Sequence, residues 1–241
     1  MGIMRAEALE YYHHDLTLRG QVVCAEGRPG KRPGVLVVHE AWGLDEHAIE
    51  KAGKVAELGY VALAVDMFDE APPAGNDAVF ARTRGLRENP MELRARIRAA
   101  YDTLASRPEV DPQRMASIGY CFGGTTSLEL ARSGAPVAGV VSFHGTLSTA
   151  SPVEPDSIRA KILVCTGADD PFIPLDQVQA FLQEMKQANA DAQVILYSGA
   201  AHSFTNPGAG ERGIPGLAYN RLADERSWRS MVSFLAEAFG D

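Results

Sequence analysis

Short apolar runs alternate along the chain with longer stretches of helical spacing. Residues 34–39, 60–65, 115–120, 137–143, 162–166 and 194–197 are mostly apolar, with few polar interruptions. Runs of this kind predict strands covered on both faces, as in a parallel sheet. Between them, residues 47–58, 90–106, 125–132, 175–189 and 223–239 carry apolar side chains at helical spacing and predict helices with one buried stripe. Gly59 and Gly134 close two of these helices. Residues 15–24 alternate more loosely and read as an edge strand. Residues 26–34 and 70–76 are rich in Gly, Pro and charge and read as turns, too short to separate domains. No element is assigned between Asn76 and Pro90. The alternation of strand and helix predicts an α/β fold, a doubly wound and mostly parallel sheet flanked by helices, with residues 1–241 as a single domain.

In open sheets of this kind, sites form beyond the carboxyl ends of the strands. Glu40, Cys121, Asp170 and His202 all stand just past such ends. Around Cys121 the chain reads Gly119-Tyr120-Cys121-Phe122-Gly123-Gly124, with a strand before it and a helix after. This is the G-x-nucleophile-x-G elbow with cysteine at its tip. The turn brings its flanking residues nearly into contact, so Gly119 and Gly123 suit it because they have no Cβ. The thiol then projects at a helix N-terminus, which favours negative charge. A dipole worth about 0.3–1 kcal/mol moves a thiol pKa by less than one unit, so a base is also required. Asp170 and His202 follow in the order nucleophile, acid, histidine, each after an apolar run. Asp169 rivals Asp170 at the same turn.

Charge and cysteine content narrow the partners. A net charge of −8 and a pI near 5.3 argue against nucleic acid, whose phosphates would be repelled. Three cysteines, Cys24, Cys121 and Cys165, without a C-x-x-C pair, argue against a disulfide framework and fit a reducing compartment. No signal-peptide core or membrane-length apolar stretch is read, so a cytoplasmic location is expected. No His/Cys/Asp/Glu cluster has metal-ligand spacing, and no metal or cofactor is expected. Residues 208–213 match G-x-G-x-x-G, but they follow no strand and run into Ile214-Pro215, so a dinucleotide site is not expected. Arg94, Arg96 and Arg98 read as a solvated helix face.

Four segments together resemble the dienelactone hydrolase family of the α/β-hydrolase superfamily. They are Val37-Val38-His39-Glu40-Ala41-Trp42-Gly43, the cysteine elbow, Gly167-Ala168-Asp169-Asp170-Pro171 and Gly199-Ala200-Ala201-His202-Ser203-Phe204. The resemblance spans nearly the whole chain. It implies hydrolysis of small esters or lactones through a Cys121-Asp170-His202 triad, and its spacing selects Asp170 over Asp169. It also implies that Glu40 lies within reach of the resting thiol. The oxyanion hole is expected at the N–H groups of Ala41 and Phe122. Trp42, Arg82, Arg84 and His144 are candidates for the substrate pocket. Where family members carry an arginine four residues beyond the histidine, this chain has Asn206, which predicts that neutral esters rival anionic dienelactone. A carboxylate against the sulfur predicts a protonated resting thiol and a lower alkylation pKa in Glu40→Gln. A monomer or small homo-oligomer is expected. A thioesterase or acyl transferase on the same triad, a small-molecule receptor and a thiol redox sensor remain open alternatives.

Overall fold

The computed structural model describes residues 3–240. Its elements are β1 (Met4–His13), β2 (Leu16–Ala25), β3 (Arg32–Val38), α1 (Glu46–Glu57), β4 (Val61–Val65), α2 (Asn76–Glu88), α3 (Pro90–Ala105), β5 (Val110–Tyr120), α4 (Phe122–Arg132), β6 (Gly139–Phe143), β7 (Lys161–Gly167), α5 (Leu175–Gln187), β8 (Ala192–Tyr197) and α6 (Arg221–Phe239). One eight-stranded sheet runs in the order β1-β2-β4-β3-β5-β6-β7-β8. From β4 to β8 every pairing is parallel, while β1 and β2 are antiparallel additions on one side.

The apolar runs behave as their composition requires. Side chains alternate between faces with period two. Leu36 and Val38 of β3 pack with Leu93 and Ile97 of α3, Leu128 of α4 and Phe181 of α5 on one face. Val35 and Val37 pack with Val55 of α1 and Met231 and Leu235 of α6 on the other. From β3 the chain steps to β4 in one direction, then returns past β3 to β5 and continues in the opposite direction. The reversal opens a crevice between the carboxyl ends of β3 and β5, the position where doubly wound sheets bind ligands. Val38 of β3 pairs with Gly119 of β5, so Glu40 and Cys121 each lie two residues beyond that pair.

Five features differ from the sequence reading. Residues 15–24 are not at an edge: β2 pairs with β1 on one side and β4 on the other. β1 itself went unread, as did α2. β5 starts at Val110 rather than Met115, its first residues pairing with Arg32 and Pro33 before the register shifts at Pro33/Gly34. The arginines of α3 do not form a solvated face: Arg94 turns inward to Glu129, Arg96 pairs with Glu92, and only the Arg98–Asp102 pair is exposed. The Gly-rich stretch after His202 forms a single 3-10 turn over Ala209–Arg212. Among the described residues no helix is long and apolar enough to cross a membrane.

Candidate active site

At the elbow, Cys121 has φ 52° and ψ −114°, a backbone conformation that L-residues rarely adopt. The surrounding glycines are required by contact. A Cβ on Gly119 would lie 2.0 Å from the Gly123 carbonyl oxygen, and one on Gly123 would lie 2.2 Å from that of Val38. The first turn of α4 therefore rests directly on the end of β3. Phe122 is the first residue of α4, so its N–H has no acceptor within the helix.

His202 Nε2 lies 3.2 Å from Cys121 Sγ. Its Nδ1 lies 2.8 Å from Asp170 Oδ2, and Asp170 Oδ1 accepts the N–H of Phe172 at 2.8 Å. Asp170 is buried and Asp169 is exposed, which separates the two carboxylates that the sequence left as rivals. The histidine loop approaches β7 so closely that a Cβ on Gly167 would lie 2.2 Å from the Ala200 carbonyl oxygen. The loop is also pinned by its backbone, His202 N–H donating to Gly216 O and Ala218 N–H to His202 O. Burial by itself disfavours an imidazolium at His202. The charge of the Cys121 sulfur and the Asp170 hydrogen bond outweigh it, and its pKa is pushed up to about 10.

Glu40 is buried, and its carboxylate is held by two side chains of the histidine loop. Oε1 accepts the Ser203 hydroxyl at 2.7 Å and Oε2 accepts the Asn206 amide at 2.6 Å. Burial raises its pKa against the opposing effect of these two donors and of His202. Ser203, adjacent to His202, has φ 54°. Asn206 spends its other amide atom on the Gly208 N–H. The position that carries an arginine in the resembling family therefore clasps Glu40 to the histidine loop here.

A cavity of about 440 Å³ opens over Cys121 and His202. Ala41, Phe122, Thr125, Thr146, Gln177, Phe80, Phe172, Arg84 and Arg87 are among the residues that line it. Trp42 borders a narrow crevice beside the thiol with Phe80 and Phe172. Of the two arginines expected here, Arg84 reaches the wall. Arg82 instead lies over the Phe68 ring, 3.6 Å from its centroid, and donates to the carbonyls of Ala41 and Ala71. His144 is fully buried and absent from the cavity wall, its Nδ1 accepting the Cys121 N–H at 3.1 Å. Arg87, Phe80, Phe172, Ser203 and the clasping role of Asn206 were missed. Phe172 had a signal, two residues after Asp170 in a strand-end turn. Among the described residues no group of three or more His, Cys, Asp or Glu side chains is arranged to hold a metal ion.

A doubly wound sheet, a cysteine elbow on its central strand and a histidine–aspartate pair past later strands define an α/β-hydrolase. Within that class, the model of the dienelactone hydrolase family matches residues 18–239, and the chain belongs to that family. It is accordingly a hydrolase of carboxylic ester or lactone bonds. The solved structure of m3DLH is 42% identical with a TM-score of 0.93, covering 99% of this chain and 100% of that one. A dienelactone hydrolase-like promiscuous phosphotriesterase from metagenomic libraries is 40% identical with a TM-score of 0.91, over 99% of this chain and 100% of that one. A protein of Escherichia coli (strain K12) named "Putative carboxymethylenebutenolidase" is 29% identical over 223 residues, covering 88% of this chain and 79% of its own length.

Proposed function

We propose that the protein hydrolyses small esters or lactones without a cofactor, through an acyl-enzyme on Cys121. The observation that carries this reading is the His202 imidazole, set between the Cys121 sulfur at 3.2 Å and Asp170 at 2.8 Å on the floor of the cavity. His202, its pKa pushed up by the Cys121 sulfur and the Asp170 hydrogen bond against the effect of burial, takes the thiol proton and leaves a thiolate as the nucleophile. The thiolate attacks the acyl carbon, and the N–H groups of Ala41 and Phe122 receive the developing oxyanion. His202 then gives its proton to the leaving alkoxide, and later takes one from the water that releases the acyl group. Trapping the acyl-enzyme by intact mass after rapid mixing with p-nitrophenyl acetate tests the pathway. An adduct that maps to a residue other than Cys121 overturns it.

The cavity also bears on substrate charge. Asn206 is committed to Glu40 and Gly208 and offers nothing to a substrate carboxylate, but Arg84 and Arg87 stand in the wall. A charge-assisted hydrogen bond contributes about 1.5–3 kcal/mol, or roughly ten- to hundred-fold in kcat/KM. Arg84→Ala combined with Arg87→Ala is therefore expected to cost a carboxylated lactone that factor while sparing a neutral ester. The comparison is made across a panel of neutral and anionic lactones, esters, thioesters and a dialkyl aryl phosphate, the last because of the phosphotriesterase relative. Equal losses on neutral and anionic substrates would remove the arginines as an anion anchor.

Glu40 is proposed to act on His202 rather than on the thiol. Its carboxylate, held one residue from the imidazole through Ser203, attracts the imidazolium and so supports the ion pair. Neutralising it in Glu40→Gln removes that attraction, lowers the His202 pKa and disfavours the thiolate. Alkylation of Cys121 by iodoacetamide is then expected to shift to higher pH by about half to one unit, with slower reaction at neutral pH. A shift to lower pH would put the carboxylate against the sulfur instead.

A further inference from the structure

Three buried histidines surround the triad without belonging to it. His39 donates through Nδ1 to the Glu40 carbonyl and accepts the Met67 N–H at Nε2, inside the loop after β3. His47, on α1, donates Nε2–H to the Thr205 carbonyl at 3.2 Å. His144, at the end of β6, differs from both because its two ring nitrogens reach the two halves of the proposed machinery. Nδ1 accepts the backbone N–H of Cys121 at 3.1 Å, and Nε2 lies 2.8 Å from the Thr205 hydroxyl. Thr205 is three residues beyond His202 on the same loop.

The donor on the Cys121 side fixes the tautomer. A backbone N–H can only donate, so Nδ1 is bare, the ring proton is on Nε2, and Thr205 Oγ1 is the acceptor. The Cys121 N–H is shared with the Phe143 carbonyl oxygen at 3.0 Å. Both acceptors come from the β6 end and hold an elbow residue whose φ of 52° its own chemistry does not favour. His144 itself has φ 41°. Its ring also meets the His202 ring edge-on, with centroids 5.3 Å apart. The imidazole is thus a rigid spacer, bonded to the nucleophile's backbone at one end and to the base's loop at the other.

We propose that His144 is a positioning residue, a strut whose two hydrogen bonds set the separation between Cys121 and His202. It acts as a fixed spacer and not as a proton carrier. Burial, together with the neighbouring His202, His47 and Lys51, holds its pKa well below the usual histidine value, so it stays neutral while His202 is charged. Protonation at Nδ1 would also eject the Cys121 N–H. The inference rests on the triad reading but goes beyond it, since both ring nitrogens of His144 are bonded to the protein's own groups.

Thr205→Val tests it, because valine keeps the branched shape and the carbonyl that His47 binds but removes Oγ1. Misplacing a reacting group by a fraction of an ångström to one ångström costs up to roughly a hundred-fold. The expected result is a kcat lower by roughly ten- to hundred-fold with KM changed less than about two-fold. The iodoacetamide profile of Cys121 should move to higher pH. Thr205→Ser should restore both readouts, and His144→Asn, whose amide oxygen can still accept the Cys121 N–H, should resemble Thr205→Val. All variants are assayed well below their measured melting temperatures. A Thr205→Val enzyme with wild-type kcat and a superimposable alkylation profile overturns the strut, as does failure of Thr205→Ser to restore them. If Thr205→Val does not fold, His144→Asn against Thr205→Ser decides by the same readouts. Wild-type turnover in Cys121→Ala would instead remove the triad itself, whereas an inert Cys121→Ala beside an unaffected Thr205→Val removes only the strut.

Discussion

Cys121→Ala is expected to cut ester and lactone hydrolysis by about 10⁴-fold or more, the scale at which loss of a nucleophile leaves only binding and oxyanion stabilisation. Alanine fits the elbow, since it only removes an atom at a site whose close contacts belong to Gly119 and Gly123. Stability should therefore hold while turnover disappears. The control lies in the other thiols. Cys24 and Cys165 are buried, and burial pushes the Cys165 pKa up to about 12, so neither should replace Cys121 or take up iodoacetamide at neutral pH. Steady-state kinetics on p-nitrophenyl acetate, with active-site titration of the wild type, makes the comparison. Retention of a tenth of the activity would refute the cysteine mechanism and point to another nucleophile.

Asp170→Asn is expected to be nearly as severe, and the geometry says why. Asp170 Oδ1 is engaged by the Phe172 N–H, so the asparagine oxygen must stay on that side and its amide NH₂ must face His202 Nδ1. Nδ1 then becomes an acceptor and the ring proton moves to Nε2, the nitrogen that faces Cys121 Sγ. An imidazole in that tautomer cannot take the thiol proton. A fall in kcat of about 10³–10⁴-fold follows from the wrong tautomer, with the fold intact. Partial recovery at high pH is expected, because a thiolate formed by hydroxide needs no base. Combining Asp170→Asn with Cys121→Ala should add little to the latter, since groups that act as a unit are not additive. A kcat within ten-fold of wild type would show that Asp170 does not orient the imidazole.

Much of this site was legible because its grammar is local. The elbow is read from six consecutive residues, and β3, β5 and β7 are apolar on both faces because helices cover both. β1 gave no such signal: of its side chains only Tyr11 and His13 are buried, so its alternation is faint. α2 was missed for a related reason. Val79, Thr83 and Leu86 are its only buried residues, too sparse a stripe to outweigh the polar positions between them. Glu40 was read at the strand end, but its hydrogen-bond partners were not. Its contacts to Ser203 and Asn206 cross more than 160 residues of chain, and no spacing rule reaches that far. His144 was likewise found at a strand end, but only the packed structure distinguishes a residue behind the elbow from one in the cavity.

The light anchoring of α2 has a consequence for the history of such an enzyme. This helix contributes Phe80, Arg84 and Arg87 to the wall facing the thiol, yet it enters from Gly75 without a side-chain cap and buries only three of its residues. The reacting atoms, by contrast, sit on strand ends whose neighbours leave no room for a Cβ. Selection can therefore rewrite the exposed positions of α2, altering which molecules are accepted, at little risk to folding or chemistry. Descendants of one ancestor would diverge fastest along this helix, and a library confined to its non-buried positions would explore new substrates from a nearly constant catalytic background.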